Sequence, residues 1–178
     1  MKKLMFFVFV SISGLASAQT VTYQDFKIEE QQIIYQKIFS EDSISVAKLE
    51  KYYKTLPFVV NVATTATGLT LNVEGITVDY KKFQFSQVGT PMIIQSGNFS
   101  GEVSIGVKDG KYRVTFRSIQ LTGNIEYKMI KEKDNLTNYA CKNSGTVLSE
   151  NWCRPNMLGL LDQAFTDKFQ FKKSKDDW

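Results

Sequence analysis

The sequence predicts an α+β fold, in which a single antiparallel β-sheet carries helices packed on one of its faces. Three observations point there. The stretch VSIGVKDGKYRVTF, residues 103 to 116, alternates apolar and polar residues around a turn dipeptide, as a β-hairpin does. Val46, Leu49, Tyr53 and Leu56 recur at helical spacing in the first half of the chain. Leu158, Leu161, Phe165 and Phe169 do the same near its end, so one apolar stripe can lie on the sheet.

At the start, Met1, Lys2 and Lys3 precede an apolar run from Leu4 to Val10, and small residues follow, ending in Ala16, Ser17 and Ala18. A basic n-region, a short h-region and an A-x-A site make a secretory signal peptide over residues 1–18. Cleavage between Ala18 and Gln19 leaves one globular domain over residues 19–178, exported to the periplasm or the extracellular space. The apolar run falls short of the ~20 residues of a transmembrane helix, and no later stretch approaches that length. Removing Lys2 and Lys3 turns 22 basic and 18 acidic side chains into 20 and 18. A nearly neutral mature chain with scattered lysines argues against a nucleic-acid partner. With 43% hydrophobic residues and 13 phenylalanines, the composition is that of a packed globular domain, and no linker or repeat divides it.

Within the domain, Ile33 to Phe39 (IIYQKIF) predicts a strand, and Ser40 to Ser43 breaks it with turn chemistry. The helix over Val46 to Leu56 takes Ser43 or Ser45 as its cap, and Pro57 forbids continuation. PFVVNVATTATG supplies a short strand and a Thr-rich turn. In LTLNVEGITVDY the alternation slips by one at Glu74 and Gly75, which permits either a hairpin or a bulge. Asp109 and Gly110 suit a two-residue type I′ turn, so paired residue numbers should sum to 219: Val107 with Tyr112, Ile105 with Val114, Val103 with Phe116. That register buries Val103, Ile105, Val107, Val114 and Phe116 on one face and sets Glu102 opposite Arg117 on the other. A turn is expected at Thr122 to Asn124, then a strand or a helix over residues 125–133, within a cysteine loop spanning about residues 122–152. Pro155 suits the first turn of a C-terminal helix over about residues 155–170. The final run of Lys172, Lys173 and Lys175 against Asp176 and Asp177 reads as a solvated tail.

Cys141 and Cys153 are the two cysteines. In an oxidising compartment a disulfide between them is expected, closing a polar loop that burial alone would not order. The C-x-x-C spacing of redox-active pairs is absent, and two thiolates without histidine do not make a zinc site.

The order of leader, FKIEEQQIIYQKIFS, short helix, several strands, DGKYRVTFRSI and late helix resembles a family of exported bacterial domains of unknown function with a fold like the TATA-binding protein. The matching segments are Ile33 to Phe39 and Asp109 to Ile119, within residues 26–121. The resemblance implies a curved sheet. It carries over no catalytic residues, and a shape of this kind does not imply DNA binding. The cysteine loop departs from the family pattern.

No histidine is present, so Ser-His-Asp and Cys-His systems are excluded, and no Gly-rich phosphate loop occurs. Glu74 with Asp79, or Glu102, are the strand acids that could run carboxylate hydrolysis, though outward polar positions explain them as well. Arg113 and Arg117 lie on the polar face of the hairpin as candidate anion ligands, because guanidinium forks bind planar anions; solvent exposure with Glu102 as partner is the simpler account. Asn135, Leu136 and Thr137 spell a glycosylation sequon that chance also produces in a polar loop. These readings converge on an exported, non-catalytic binding or envelope-associated module. It would act through its sheet face or an exposed edge, without cofactor or metal, on another envelope protein or a hydrophobic ligand. A small carboxylate-dependent hydrolase is the alternative.

Overall fold

Asp109 and Gly110 both take left-handed backbone, with φ of 48° and 69°, as a type I′ turn requires. The strands they join, β6 (Asn98–Lys108) and β7 (Lys111–Ile125), stand inside the sheet. The computed structural model describes residues 20–125 and 128–173; the leader with Ala18 and Gln19 lies outside them, as does the end of the charged tail. Hairpin pairing follows the expected register, with Val103 opposite Phe116, Ile105 opposite Val114 and Glu102 opposite Arg117. Val103, Ile105, Val114 and Phe116 are buried. Val107 is only half-buried, because the neighbouring strand on its side ends at Gly68, which pairs with Gly106.

Around this hairpin the chain adds β1 (Thr22–Tyr23), β2 (Phe26–Glu29) and β3 (Gln32–Ser40) on one side, and β4 (Val59–Thr65) with β5 (Gly68–Ile76) on the other. The order is β1-β2-β3-β7-β6-β5-β4, every pairing is antiparallel, and β8 (Lys128–Asn135) pairs with the far half of β7. Among the described residues this is an open eight-stranded sheet. The fold class is therefore α+β.

Helix α1 (Val46–Tyr53) is capped by Ser45, whose hydroxyl accepts from the Lys48 N–H at 3.3 Å. It buries Leu49 and Tyr53. Helix α4 (Leu158–Phe169) buries all four residues of its predicted stripe. It starts later than expected. Pro155 sits in the preceding turn rather than in the first helical turn, and Gly159 N–H bonds the Arg154 carbonyl at 3.1 Å. Phe165 packs its ring edge-on against Phe116 at 5.2 Å, Tyr35 at 5.5 Å and Phe99 at 5.7 Å between centroids. Such pairs add to area burial because the positive ring edge meets a negative face. Tyr53 donates to the Phe169 carbonyl at 2.6 Å and so ties α1 to the end of α4.

Several expectations are corrected. The turn expected at Thr122 to Asn124 is absent: β7 continues to Ile125, with Thr122 paired to Asn98. Of residues 125–133, which could be strand or helix, Ile125 ends β7, residues 128–133 lie in β8, and residues 126 and 127 lie outside the described residues. What reads as one polar cysteine loop contains α3 (Thr137–Ala140), β9 (Cys141–Lys142) and β10 (Val147–Leu148), and it buries Leu136, Ala140, Leu148 and Trp152. At Glu74 and Gly75 the chain makes a bulge, with Gly75 at φ 72° and the register to β6 shifting between Val73 and Ile76. A matching irregularity crosses the next strands, where Gly101 (φ 151°) faces Ser118 (φ 49°) and the β6–β7 register shifts by one. Bulges side by side in neighbouring strands bend and twist a sheet locally.

Replacing Phe116 with alanine removes a fully buried ring that touches both Phe165 and Phe169. A loss of ~3–5 kcal/mol in urea unfolding is expected. A loss below ~1 kcal/mol would mean that the hairpin face is not the packed one.

Candidate functional site

With α1 and α4 on one face, the opposite face of β4, β5 and β6 is left to solvent. Alternation along the strands turns Asn61, Ala63, Thr70, Asn72, Glu102 and Ser104 outward there, and all are exposed. Two adjoining depressions indent this face. The first, of about 300 Å³, lies at the line of bulges, over Asn72, Glu74, Gly101, Glu102, Ser118 and Gln120, with Val60 and Lys133 at its sides. The second, of about 280 Å³, lies over Thr70, Asn72, Glu102, Ser104 and Arg117. Gly101 is required at this place. Its φ is left-handed, and a Cβ there would stand 2.7 Å from the carbonyl oxygens of Arg117 and Ser118.

Charge is distributed unevenly over the face. Around Glu29 it is consumed internally: Glu29 receives Lys27 at 2.5 Å and Arg117 at 2.6 Å, Lys27 also donates to Gln36 at 2.8 Å, and Gln36 donates to Thr115 at 3.0 Å. Hydrogen bonds from Lys27 and then Arg117 hold the Glu29 carboxyl below the usual carboxylate range. At the rim of the first depression Lys133 pairs with Glu74 at 2.5 Å. Glu102, common to both depressions, has no partner among the described residues.

The expected partnership of Arg117 with Glu102 is therefore replaced. In register the two are opposite, yet the guanidinium swings across β3 to Glu29. Arg113 is exposed and has no partner among the described residues. Four residues of strand set the two arginines roughly 13–14 Å apart at the backbone, with Thr115 between them. The carboxylate that Arg117 grips comes from the chain itself. Of the strand acids, Glu74 and Glu102 come together at the first depression; Asp79 does not, and its carboxylate instead accepts from the Lys82 N–H at 3.2 Å. The sequon residue Asn135 is engaged through its side-chain carbonyl, which accepts from the Thr137 N–H at 2.8 Å.

Beneath the other face lies an acid pair that the sequence does not announce. Asp25, in the turn between β1 and β2, donates its N–H to Asp162 Oδ1 at 3.3 Å and accepts from Lys37 Nζ at 2.6 Å. Asp162 projects from α4 and is 8% exposed. Burial, and after it the charge of Asp25, push the Asp162 carboxyl up to about 6. One turn along the helix, Thr166 meets the Tyr35 hydroxyl at 3.0 Å. The depressions lie elsewhere, on the uncovered face. The acid pair fastens the β1–β2 turn to the helix.

The disulfide expected between Cys141 and Cys153 is not formed: both are free, half-buried thiols. The segment is closed by other means. Leu148 pairs with Cys141, Ser149 N–H reaches the Ala140 carbonyl at 2.8 Å, and Trp152 is buried. Burial, then the charge of Cys153, pushes the Cys141 thiol up to about 11, and burial, then Glu150, raises Cys153. Thiols so disposed are poor nucleophiles. No group of His, Cys, Asp and Glu among the described residues is placed to hold a metal ion, and none of their helices is long and apolar enough to cross a membrane.

No protein-family description matches this chain, and no curated protein does. Two solved structures are similar to it. One is a TBP-like protein from Parabacteroides distasonis, with a TM-score of 0.47 and 9% identity, over 80% of this chain and 93% of that one. The other is a DUF4468 family protein from Bacteroides ovatus, with a TM-score of 0.45 and 14% identity, over 85% of this chain and 94% of that one.

The raised Asp162 gives a signed expectation. Folding strengthens its hold on the proton, so its contribution to stability is complete below about pH 4, the unfolded value, and is lost as pH rises through about 6. Asp162→Asn, which keeps the shape and cannot ionise, should gain in melting temperature relative to the parent as pH is raised from about 4 to about 7. A difference independent of pH would show that Asp162 titrates as it does in the unfolded chain.

Proposed function

We propose that the protein is an exported, non-catalytic binding module that meets its partner on the uncovered sheet face, over the two depressions. The observation that carries this reading is Glu102. It is an exposed carboxylate common to both depressions, unpartnered among the described residues, and set among the neutral hydrogen-bonding groups of Thr70, Asn72, Ser104 and Gln120. A partner that brings a basic group and amides to this place exchanges water for fixed polar contacts. The exposed lining is polar except for Val60, which favours an envelope protein over a hydrophobic ligand. Export rests on the leader pattern of residues 1–18.

Catalysis at neutral pH needs a group tuned by burial to exchange protons beside the substrate. The one acid described with such a shift, Asp162, is engaged beneath the opposite face. The second reading, carboxylate hydrolysis, is favoured by one observation: Glu74 and Glu102 line the same depression. Both are exposed, and Glu74 is ion-paired to Lys133.

Two measurements address the proposal. Intact-mass spectrometry of protein from its native host should give a chain beginning at Gln19; a retained Met1 would overturn export. Envelope proteins captured on the immobilised mature chain should be lost with Glu102→Arg, whereas hydrolysis of glycan or peptide substrates that is abolished by Glu102→Gln in a folded protein would establish the enzyme instead.

A further inference from the structure

Two charges on the uncovered face are left unanswered by the chain, and they are of opposite sign. Glu102 on β6 and Arg113 on β7 are both exposed, and neither has a partner among the described residues. Strand register fixes their separation. Glu102 stands opposite Arg117, four residues along β7 from Arg113, so the two backbones are about 13 Å apart along the strands and about 5 Å across them. The ground between them is low and neutral. Ser104 lies opposite Thr115, which Gln36 already engages, and Gly106, opposite Arg113, carries no side chain, with open space where a Cβ would stand. Gly68 continues the bare row onto β5. Lys108 and Lys111, both exposed, extend the basic end toward the turn, with Asp109 in the turn beyond them.

We infer that this strip seats an extended segment of the partner, carrying a basic residue over Glu102 and, four positions away, an acidic residue over Arg113. The inference rests on the binding reading of Glu102 and adds to it a second charge and a spacing. Residues i, i+2 and i+4 of an extended chain face the same way, and i to i+4 spans about 13 Å, which is the separation along β7. The same four residues of a helix span only about 6 Å and cannot reach both charges. The middle residue of the segment falls over Ser104 and Gly106, where the missing side chain leaves it room. Arg113 offers a carboxylate two parallel N–H donors. A second copy laid face to face would also bring Arg113 to Glu102, but it would press Thr70, Asn72 and Ser104 against polar groups like themselves. Stacked sheets are held by apolar inner faces. Here the exposed large apolar residues are Ile38, beside Arg113 on β3, and Val60 on β4, at opposite sides of the face. A peptide segment brings its own N–H and C=O groups to the polar side chains.

Selection of short random peptides on the immobilised mature chain tests it. Enriched peptides should carry Lys or Arg and Asp or Glu four residues apart, or six where Lys111 takes the acid. A synthetic peptide of enriched sequence should lose about tenfold in affinity for Glu102→Arg and for Arg113→Glu alike, and exchanging its acid for lysine should restore binding to Arg113→Glu. Both positions are exposed and unpartnered among the described residues, so each variant should keep the melting temperature of the parent. Peptides that carry a base alone, or an acid and a base at no fixed spacing, and that bind Arg113→Glu as well as the parent overturn the inference and leave the reading of Glu102 in place. Peptides indifferent to Glu102→Arg, or no enrichment at all, overturn both. A protein that sediments at twice the single-chain mass, and at the single-chain mass with either reversal, also overturns the inference, because a second copy would then fill the face.

Discussion

The contact on which the rest of the structure depends is the edge of the Phe165 ring against the core face of the β6–β7 hairpin. Phe165 reaches Phe116, Phe99, Tyr35 and Phe26 with centroid separations of 5.2 to 6.0 Å, so one helical residue touches strands on both sides of the sheet's middle. Once α4 lies there, the hairpin's other face is committed to solvent, because the side chains of a strand alternate and cannot change sides without a slip of register. The same contact places Phe169 near Tyr53 and Tyr112, whose hydroxyls both reach its carbonyl. The helix layer is therefore closed by hydrogen bonds as well as by burial.

What was legible in the sequence was whatever the local chain enforces by itself. Asp109 and Gly110 accept left-handed backbone cheaply, and that fixed the register of seven cross-strand pairs from Lys108 to Glu102. The turn between β2 and β3 has the same left-handed geometry at Glu30 (φ 50°) and Gln31 (φ 61°), residues that give no turn signal. It is formed because β2 and β3 pair over four positions around it, with tertiary packing overriding local preference. β8 and the ordered cysteine segment were hidden for a similar reason. Leu136, Ala140, Leu148 and Trp152 are spread among polar neighbours without period and bury themselves only because an existing core receives them.

Side-chain partnerships were less legible than strands. Cross-strand reasoning pairs Arg117 with Glu102 because it counts only adjacent residues, but a guanidinium on a long stem can reach past one strand. Glu29 offered a carboxylate already gathered by Lys27. Asp25 and Asp162 are 137 residues apart in the chain, and each on its own reads as a surface acid. Only the docking of α4 onto the β1–β2 turn brings them together. No pattern in a single sequence encodes that meeting.

The same geometry separates what holds the molecule together from what is free to act. Asp25, Asp162, Lys37, Tyr35 and Thr166 satisfy one another beneath the helix, and each polar atom so engaged is unavailable to a partner. On the opposite face the network of Lys27, Glu29, Gln36, Thr115 and Arg117 is likewise closed. The closure leaves out Arg113 on β7 and does not extend to β6. There Gly101 and Ser118 interrupt the ladder, and the depressions open where side chains from three strands no longer reach across to one another. Glu102 stands on that boundary, opposite an arginine that has turned away from it. A carboxylate kept in water at such a place contributes little to folding, since an exposed pair with Arg117 would have been worth only ~0.2–1 kcal/mol. On the binding reading proposed above, it is left to meet a partner rather than to hold the fold.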